Sequence, residues 1–388
     1  MAAPSPAPLP DRTALLRGVR RLVVKVGSGV LSRGSFTLDA GTIRALAAQI
    51  TASRSGGRQV ALVSSGAIVA GVGRLDLKER PRSIPLKQAA AAIGQGALIW
   101  TYEEAFAAHG VKVAQVLLTG EDLRDRSRYL NARNTLFTLL TLGVLPIINE
   151  NDTVAVEEIK FGDNDRLSAL VASLVDADLL VILTDTDGLF TADPRRSPKA
   201  RLIPLVRGNE AEGASWAGAP ATATGVGGMA SKVEAARLAG ASGIPTLIAN
   251  GTVPDTLSRL LAGEALGTLF LPDVERLAGR KRWLALASRP KGTILVDEGA
   301  KRALVERGKS LLPSGVHGTL KPFGVGDVVS LVGPDRAEFA RGLVNYTAEE
   351  VERIKGVKSS DIERTLGYRH SDEVIHRDNL VILNGGER

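Results

Sequence analysis

Short apolar runs alternate with stretches of helical spacing over the first two thirds of the chain. Leu22–Val26, Val60–Val63, Val111–Leu118, Val144–Ile148, Leu179–Leu183 and Pro245–Ala249 are brief and rich in β-branched residues, and polar or glycine residues stop each one. That combination predicts buried strands. Between them, residues 39–53, Leu86–Trp100, Asn131–Leu142, Leu167–Leu174 and Val233–Ala239 place apolar side chains on one helical face. Strands alternating with helices from about 22 to 270 predict a three-layer αβα domain on a mostly parallel sheet, with Pro245–Ala249 as its last strand. From Arg276 the pattern changes. Gly292–Val296, Val325–Leu331 and Glu338–Tyr346 are short strand candidates among many turns, which predicts a small β-rich domain. The expected division is a disordered tail over 1–18, a catalytic domain over 19–272, a charged linker over 273–289, a β-rich domain over 290–368 and an extension over 369–388.

Polar residues cluster where the strands end, and in open parallel sheets ligands bind beyond the carboxyl ends of the strands. Asn149-Glu-Asn-Asp152 closes the run that begins at Val144, and Asp163-Asn-Asp165 precedes the next helical stretch. Asn and Asp also serve as ordinary turn and cap residues. Two such clusters flanking one segment point instead to a site for a small polar molecule. Lys25 interrupts an apolar strand, where an ammonium group is costly without a partner or ligand. Gly27-Ser-Gly29 follows it and permits backbone amides to approach an anion. Ser64-Ser-Gly-Ala-Ile68 is a second loop of small residues. Thr224-Gly-Val-Gly-Gly-Met-Ala-Ser-Lys232 opens a helix with a glycine-rich loop and a lysine, a combination suited to polyphosphate. Its spacing is neither a Walker A motif nor a dinucleotide fingerprint.

Composition narrows the classes. The 388 residues contain no Cys, which excludes disulfides and thiolate chemistry. The four His residues show no zinc-ligand spacing. The Pro/Ala-rich opening lacks the apolar core of a secretory signal, and no apolar stretch is long enough to span a membrane, so the cytoplasm is the expected location. About +5 of the net charge of +7 falls from Arg276 onward, which is compatible with nucleic-acid contact or with a solvated basic surface.

Several segments together resemble the amino-acid kinase family, in its glutamate-phosphorylating branch. They are Val23-Val-Lys-Val-Gly-Ser28, Ser64-Ser-Gly-Ala-Ile68, Leu130-Asn-Ala-Arg133, Ile148-Asn-Glu-Asn-Asp152, Gly162-Asp-Asn-Asp165, Leu183-Thr-Asp185, Leu189-Phe-Thr-Ala-Asp-Pro194 and Gly227-Gly-Met-Ala-Ser-Lys232. Val296-Asp-Glu-Gly-Ala300, Ser310-Leu-Leu-Pro313 and Leu366-Gly-Tyr368 are similar to the PUA domain that many members carry. The resemblance implies ATP-dependent phosphorylation of the γ-carboxylate of L-glutamate, the first step of proline biosynthesis. It implies catalytic roles for Lys25, Lys232 and Asp165, the acid holding the two ammonium groups from a position set back from the phosphates. It implies glutamate binding by Ser65, Asp152 and Asn164, with Asn149 in support. ATP would lie against Lys25, Gly27, Thr184, Asp185, Val226, Gly227, Gly228, Met229, Ala230, Ser231 and Lys232, with backbone amides of Gly27, Gly227 and Gly228 as donors. Mg²⁺ would travel on the nucleotide's phosphates, and no protein ligand is assigned to it. Proline would inhibit near the glutamate pocket through the loop Asp152–Gly162, and the resemblance suggests dimers or tetramers. Kinases of aspartate, acetylglutamate, carbamate or uridylate are the alternatives within this family. RNA binding or modification through the PUA-like domain is the alternative from another class, and the scarcity of base-stacking aromatics there weighs against it.

Overall fold

The computed structural model describes residues 11–33, 35–154, 164–208, 228–272, 284 and 289–383. The chain divides into two units, Met1–Leu123 with Arg128–Arg276, and Leu277–Arg388 with Arg124–Ser127. Among the described residues no helix is long and apolar enough to cross a membrane.

In the first unit the apolar runs become β1 (Arg21–Val26), β2 (Gln59–Ser64), β3 (Val113–Leu118), β4 (Leu145–Glu150), β5 (Leu179–Thr184), β6 (Leu205–Arg207), β7 (Thr246–Asn250) and β8 (Thr268–Leu271). They form one sheet in the order β3-β4-β2-β1-β5-β7-β8-β6. Every pairing is parallel except that of β7 with β8. The expected final strand, Pro245–Ala249, is therefore followed by β8. That strand was hidden by its brevity: four residues behind Gly267, whose φ of +65° turns the chain back antiparallel.

β1 lies between β2 and β5, so the chain leaves it in opposite directions along the sheet. This is a topological switch point, where side chains beyond the strand ends face open space. Period-two alternation sends Leu22, Val24 and Val26 into a core with Ile43, Ile50, Leu98 and Phe106 from covering helices. Val23 and Lys25 point to the other face, where the helix Asn164–Leu174 packs. Helices Ala67–Arg74 and Ile84–Ala107 cross at two glycines. A Cβ on Gly71 would lie 1.7 Å from Ala90 O, and one on Gly94 would lie 1.8 Å from Ala67 O.

The second unit holds a five-stranded sheet of β9 (Gly292–Val296), β10 (Val316–Leu320), β11 (Val328–Val332), β12 (Glu338–Leu343) and β13 (Leu380–Ile382). Their order is β10-β9-β11-β12-β13, with only β9 and β11 parallel. The core gathers Ile294, Val296, Val329, Leu331, Tyr346 and Ile354. Within the expected extension over 369–388, described residues join this domain. Val374, Ile375 and Leu380 are buried in this core, and β13 pairs with β12 and covers its edge.

Candidate active site

The carboxyl ends of β1, β2, β4 and β5 meet the first turn of the helix Asn164–Leu174. Asn164 and Asp165 do not precede this helix, as the sequence reading had them. They form its first turn, where a carboxylate suits the positive helix terminus. Asp165 is 1% exposed and faces two lysines from distant parts of the chain. Lys25 Nζ lies 2.6 Å from its Oδ1, and Lys232 Nζ lies 3.2 Å from its Oδ2. Both lysines are buried. Ser231 donates its hydroxyl to Oδ2 at 2.6 Å, with Gly228 O also within 2.8 Å. Lys25 and Lys232, more than two hundred positions apart, thus share one carboxylate.

The electrostatics follow from this grouping. Burial would push the Asp165 carboxyl up, but Lys25, Lys232 and the hydrogen bonds from Lys25 and Ser231 hold it at about 2. Burial lowers the Lys25 ammonium pKa, and the neighbouring Lys232 adds to that, while Asp165 and Asp185 oppose it. With both lysines protonated the group carries two positive charges and one negative, a net attraction for anions at the strand ends.

A second cluster adjoins it, built from amides. Asn164 Nδ2 donates toward Asn149 Oδ1 (2.9 Å), Ser65 Oγ (3.0 Å) and Ser64 O (3.3 Å). Asn149 Nδ2 donates to Gln95 Oε1 at 2.8 Å, and Asn149 Oδ1 also accepts the Glu150 N–H. Ser64 Oγ hydrogen-bonds the buried Tyr102 hydroxyl at 2.9 Å, which anchors the end of β2 to the helix beneath. Asp152 lies just past β4. Its carboxyl is pushed up to about 6 by burial, against the pull of the Arg80 guanidinium.

The structure also amends parts of the reading. The Gly27 N–H donates to Leu183 O at 3.1 Å and is committed to β5, so it is not the anion donor expected. A Cβ there would meet Leu183 O and Lys25 Nζ only at ordinary contact distances of 3.6 and 3.7 Å. Thr184 Oγ1 donates to Asp185 Oδ1 at 3.2 Å at the end of β5. Gly228 is the extended N-cap of the helix Met229–Gly240, in which Met229 is half-buried and Ala230 exposed. Val226, Gly227, Asp163 and the stretch 155–162 lie outside the described residues. Gln95 and Arg80 were not singled out from sequence. Gln88 and Gln95 are both amides of an Ala-rich helix and the sequence does not separate them, and nothing around Arg80 distinguishes it. Among the described residues no three His, Cys, Asp or Glu side chains gather where they could hold a metal ion.

Comparison with known proteins is consistent with this arrangement. The family model described as Amino acid kinase family matches residues 20–250, and that of the PUA domain matches residues 292–366. The glutamate 5-kinase of Geobacter sulfurreducens is 54% identical over 372 residues, covering 96% of this chain and 100% of its own length. That of Pelobacter propionicus gives the same figures. That of Moorella thermoacetica is 53% identical over 368 residues, covering 95% of this chain and 97% of its own length. The chain belongs to the amino-acid kinase family and is a kinase with a C-terminal PUA domain.

Proposed function

We propose that this kinase transfers the terminal phosphoryl group of ATP to the γ-carboxylate of L-glutamate, giving L-glutamyl 5-phosphate for proline biosynthesis. The observation that carries this reading is the juxtaposition of a two-lysine, one-carboxylate group with an amide cluster at one edge of the sheet. The first suits a transferring phosphoryl group and the second a small amino acid. The near full-length similarity to glutamate 5-kinases supports the choice of substrate.

A γ-carboxylate oxygen attacks the γ-phosphorus, the bond to the β,γ-bridging oxygen breaks, and ADP leaves with its electron pair. The nucleophile is already ionised, so no base need remove a proton. The work left for the protein is to hold two anions together and stabilise charge spread over the phosphoryl oxygens. Lys25 and Lys232 take that role, positioned by Asp165, with Ser231 bracing the carboxylate. Ser65, Asn164 and Asp152 bind glutamate, Asp152 meeting its α-ammonium, and Asn149 supports them. Thr184, Asp185 and the loop Val226–Lys232 border ATP. Mg²⁺ would enter on the nucleotide, held by phosphate oxygens and water, and would offset phosphate charge. The described residues offer it no cage, and no step is assigned through it.

Proline control is part of the proposal and is placed in the loop Asp152–Gly162, most of which lies outside the described residues. Unchanged proline inhibition and glutamate dependence in Glu157→Ala and Glu158→Ala would remove that placement. Self-association as a dimer or tetramer and a cytoplasmic location belong to the same reading. The central test is ATP turnover with L-glutamate, Mg²⁺ and hydroxylamine, which traps an acyl phosphate as a coloured hydroxamate, with aspartate as control. Hydroxamate from glutamate alone, reduced by proline, is the expected result. None from either acid, in folded protein that still binds ATP, would overturn the substrate.

A further inference from the structure

We infer that Gln95 is a positioning residue that holds Asn149, and through it Asn164, in the hydrogen-bond polarity by which the amino-acid pocket requires an α-ammonium group. This rests on the glutamate reading and deepens it.

The directions in the amide cluster are anchored by one group that can only donate, the Glu150 backbone N–H, and Gln95 supports the same orientation from the other side of Asn149. Gln95 Oε1 accepts from Asn149 Nδ2 at 2.8 Å, which turns Asn149 Oδ1 away from Gln95. That oxygen then accepts both the Glu150 N–H and Asn164 Nδ2, each at 2.9 Å. A reversed Asn149 amide would set NH₂ against N–H on one side and NH₂ against NH₂ on the other. Asn164 is therefore oriented as well. Its NH₂ faces Asn149 Oδ1, Ser65 Oγ and Ser64 O, and its Oδ1 faces elsewhere. Among the described residues that buried Oδ1 has no hydrogen-bond partner. Such an acceptor is costly unless a ligand donor reaches it. Ser65 Oγ, which accepts from Asn164, keeps its own hydrogen to donate. The pocket thus presents one acceptor for an ammonium and one donor for a carboxylate, both held through Asn149 by Gln95 and the Glu150 N–H.

Gln95 is well placed for this role. Its neighbour Gly94 lets the helix Ile84–Ala107 press directly on Ala67, with no room for a Cβ. The side chain therefore projects from a helix that cannot shift away. It reaches the ligand only through Asn149 and Asn164.

The test compares Gln95→Lys, which offers only donors, with Gln95→Glu, which keeps an acceptor. Calorimetry would give the Kd of L-glutamate and of glutarate, the same diacid without the ammonium, and kinetics would give the KM of ATP. In Gln95→Lys a donor opposes Asn149 Nδ2 while the Glu150 N–H still holds Asn149 Oδ1, so Asn149 is displaced and Asn164 loses its fixed orientation. Glutamate binding should weaken about tenfold or more and its advantage over glutarate should shrink by a similar factor, while the ATP KM stays within about twofold. Gln95→Glu should keep the glutamate advantage. A residue that only supports the fold would weaken glutamate, glutarate and ATP together. An unchanged glutamate-to-glutarate ratio in Gln95→Lys, or equal loss in Gln95→Glu, overturns the inference. Should Gln95→Lys not fold, Gln95→Met removes the acceptor without adding a donor, and an unchanged ratio there overturns it equally. Wild-type protein that makes no hydroxamate from glutamate sinks the substrate reading and this inference with it. Wild-type turnover with an insensitive ratio sinks the inference alone.

Discussion

Replacing Asp152 by Asn removes a half-buried negative charge and almost no volume. In the folded protein this carboxyl is raised from 3.8 to about 6, chiefly by desolvation, with Arg80 opposing. A shift of roughly two units corresponds to about 3 kcal/mol between the two protonation states. The sign is opposite to that of a salt-bridged Asp. Above about pH 6 the group is ionised in both the folded and the unfolded chain, and folding carries the full desolvation penalty. Below about pH 4 it is neutral in both, and the penalty vanishes. Asn never ionises, so the variant should gain stability near neutral pH and lose that gain between about pH 6 and pH 4. The pull of Arg80 is already contained in that net shift, so the expected gain is about 3 kcal/mol at most. The same change removes the anion proposed to meet the α-ammonium, so the glutamate KM should rise about tenfold or more. Guanidinium unfolding near neutral pH and near pH 4.5, beside glutamate kinetics, checks both parts. A variant less stable at neutral pH, or one with the same stability difference at both pH values, would refute the reasoning.

Asp165→Asn should behave in the opposite way. It leaves Lys25 and Lys232 buried without their counter-charge, at a cost of about 3–5 kcal/mol. Because the folded carboxyl titrates at about 2, that contribution is present above about pH 4 and fades as pH falls through about 2, and a loss of stability persisting unchanged in acid would contradict it. Lys232→Ala should lower kcat about a hundredfold or more while the glutamate KM moves less than about threefold; equal change in both would make Lys232 a binding group only. Gly94→Ala should destabilise by about 2–3 kcal/mol or more, since its Cβ meets backbone, whereas Gly96→Ala on the same helix meets nothing within 4 Å and should stabilise by about 0.5–1 kcal/mol. Thermal or denaturant midpoints of the two variants decide it, and similar values for both would count against the helix crossing.

Most of the sheet was legible because fully buried parallel strands must be short, apolar and β-branched, and β1, β2, β4, β5 and β7 are all of these. Strands β6, β8 and β13 were not, because three or four residues are too few to show a period. Lys25 announced itself as a charge inside an apolar strand. The polar clusters at the strand ends marked Asn149, Asp152, Asn164 and Asp165 in the same way. What a linear pattern does not carry is which groups converge. Nothing near Lys232 in the chain indicates that it meets Lys25 on one carboxylate. Nor does the helix Ile84–Ala107 reveal that Gln95 and Tyr102 reach strand ends, since the approach of that helix depends on glycine contacts with a neighbouring one.

The two aspartates show how one physical force can be turned to different ends within a single site. Desolvation raises the pKa of both, and by itself it would neutralise both. Asp165 stays ionised because two buried ammonium groups and the Ser231 hydroxyl stabilise its charge, and in return it keeps both lysines together. For Asp152, among the described residues, the opposing group is Arg80. The Asp152 charge is therefore incompletely compensated among the described residues, which suits the proposed role of meeting a ligand's cation. A fully paired Asp152 would have to break its pairing to bind. An incompletely paired one gains from the ligand what the fold withholds, and the price in stability is paid where the substrate is read.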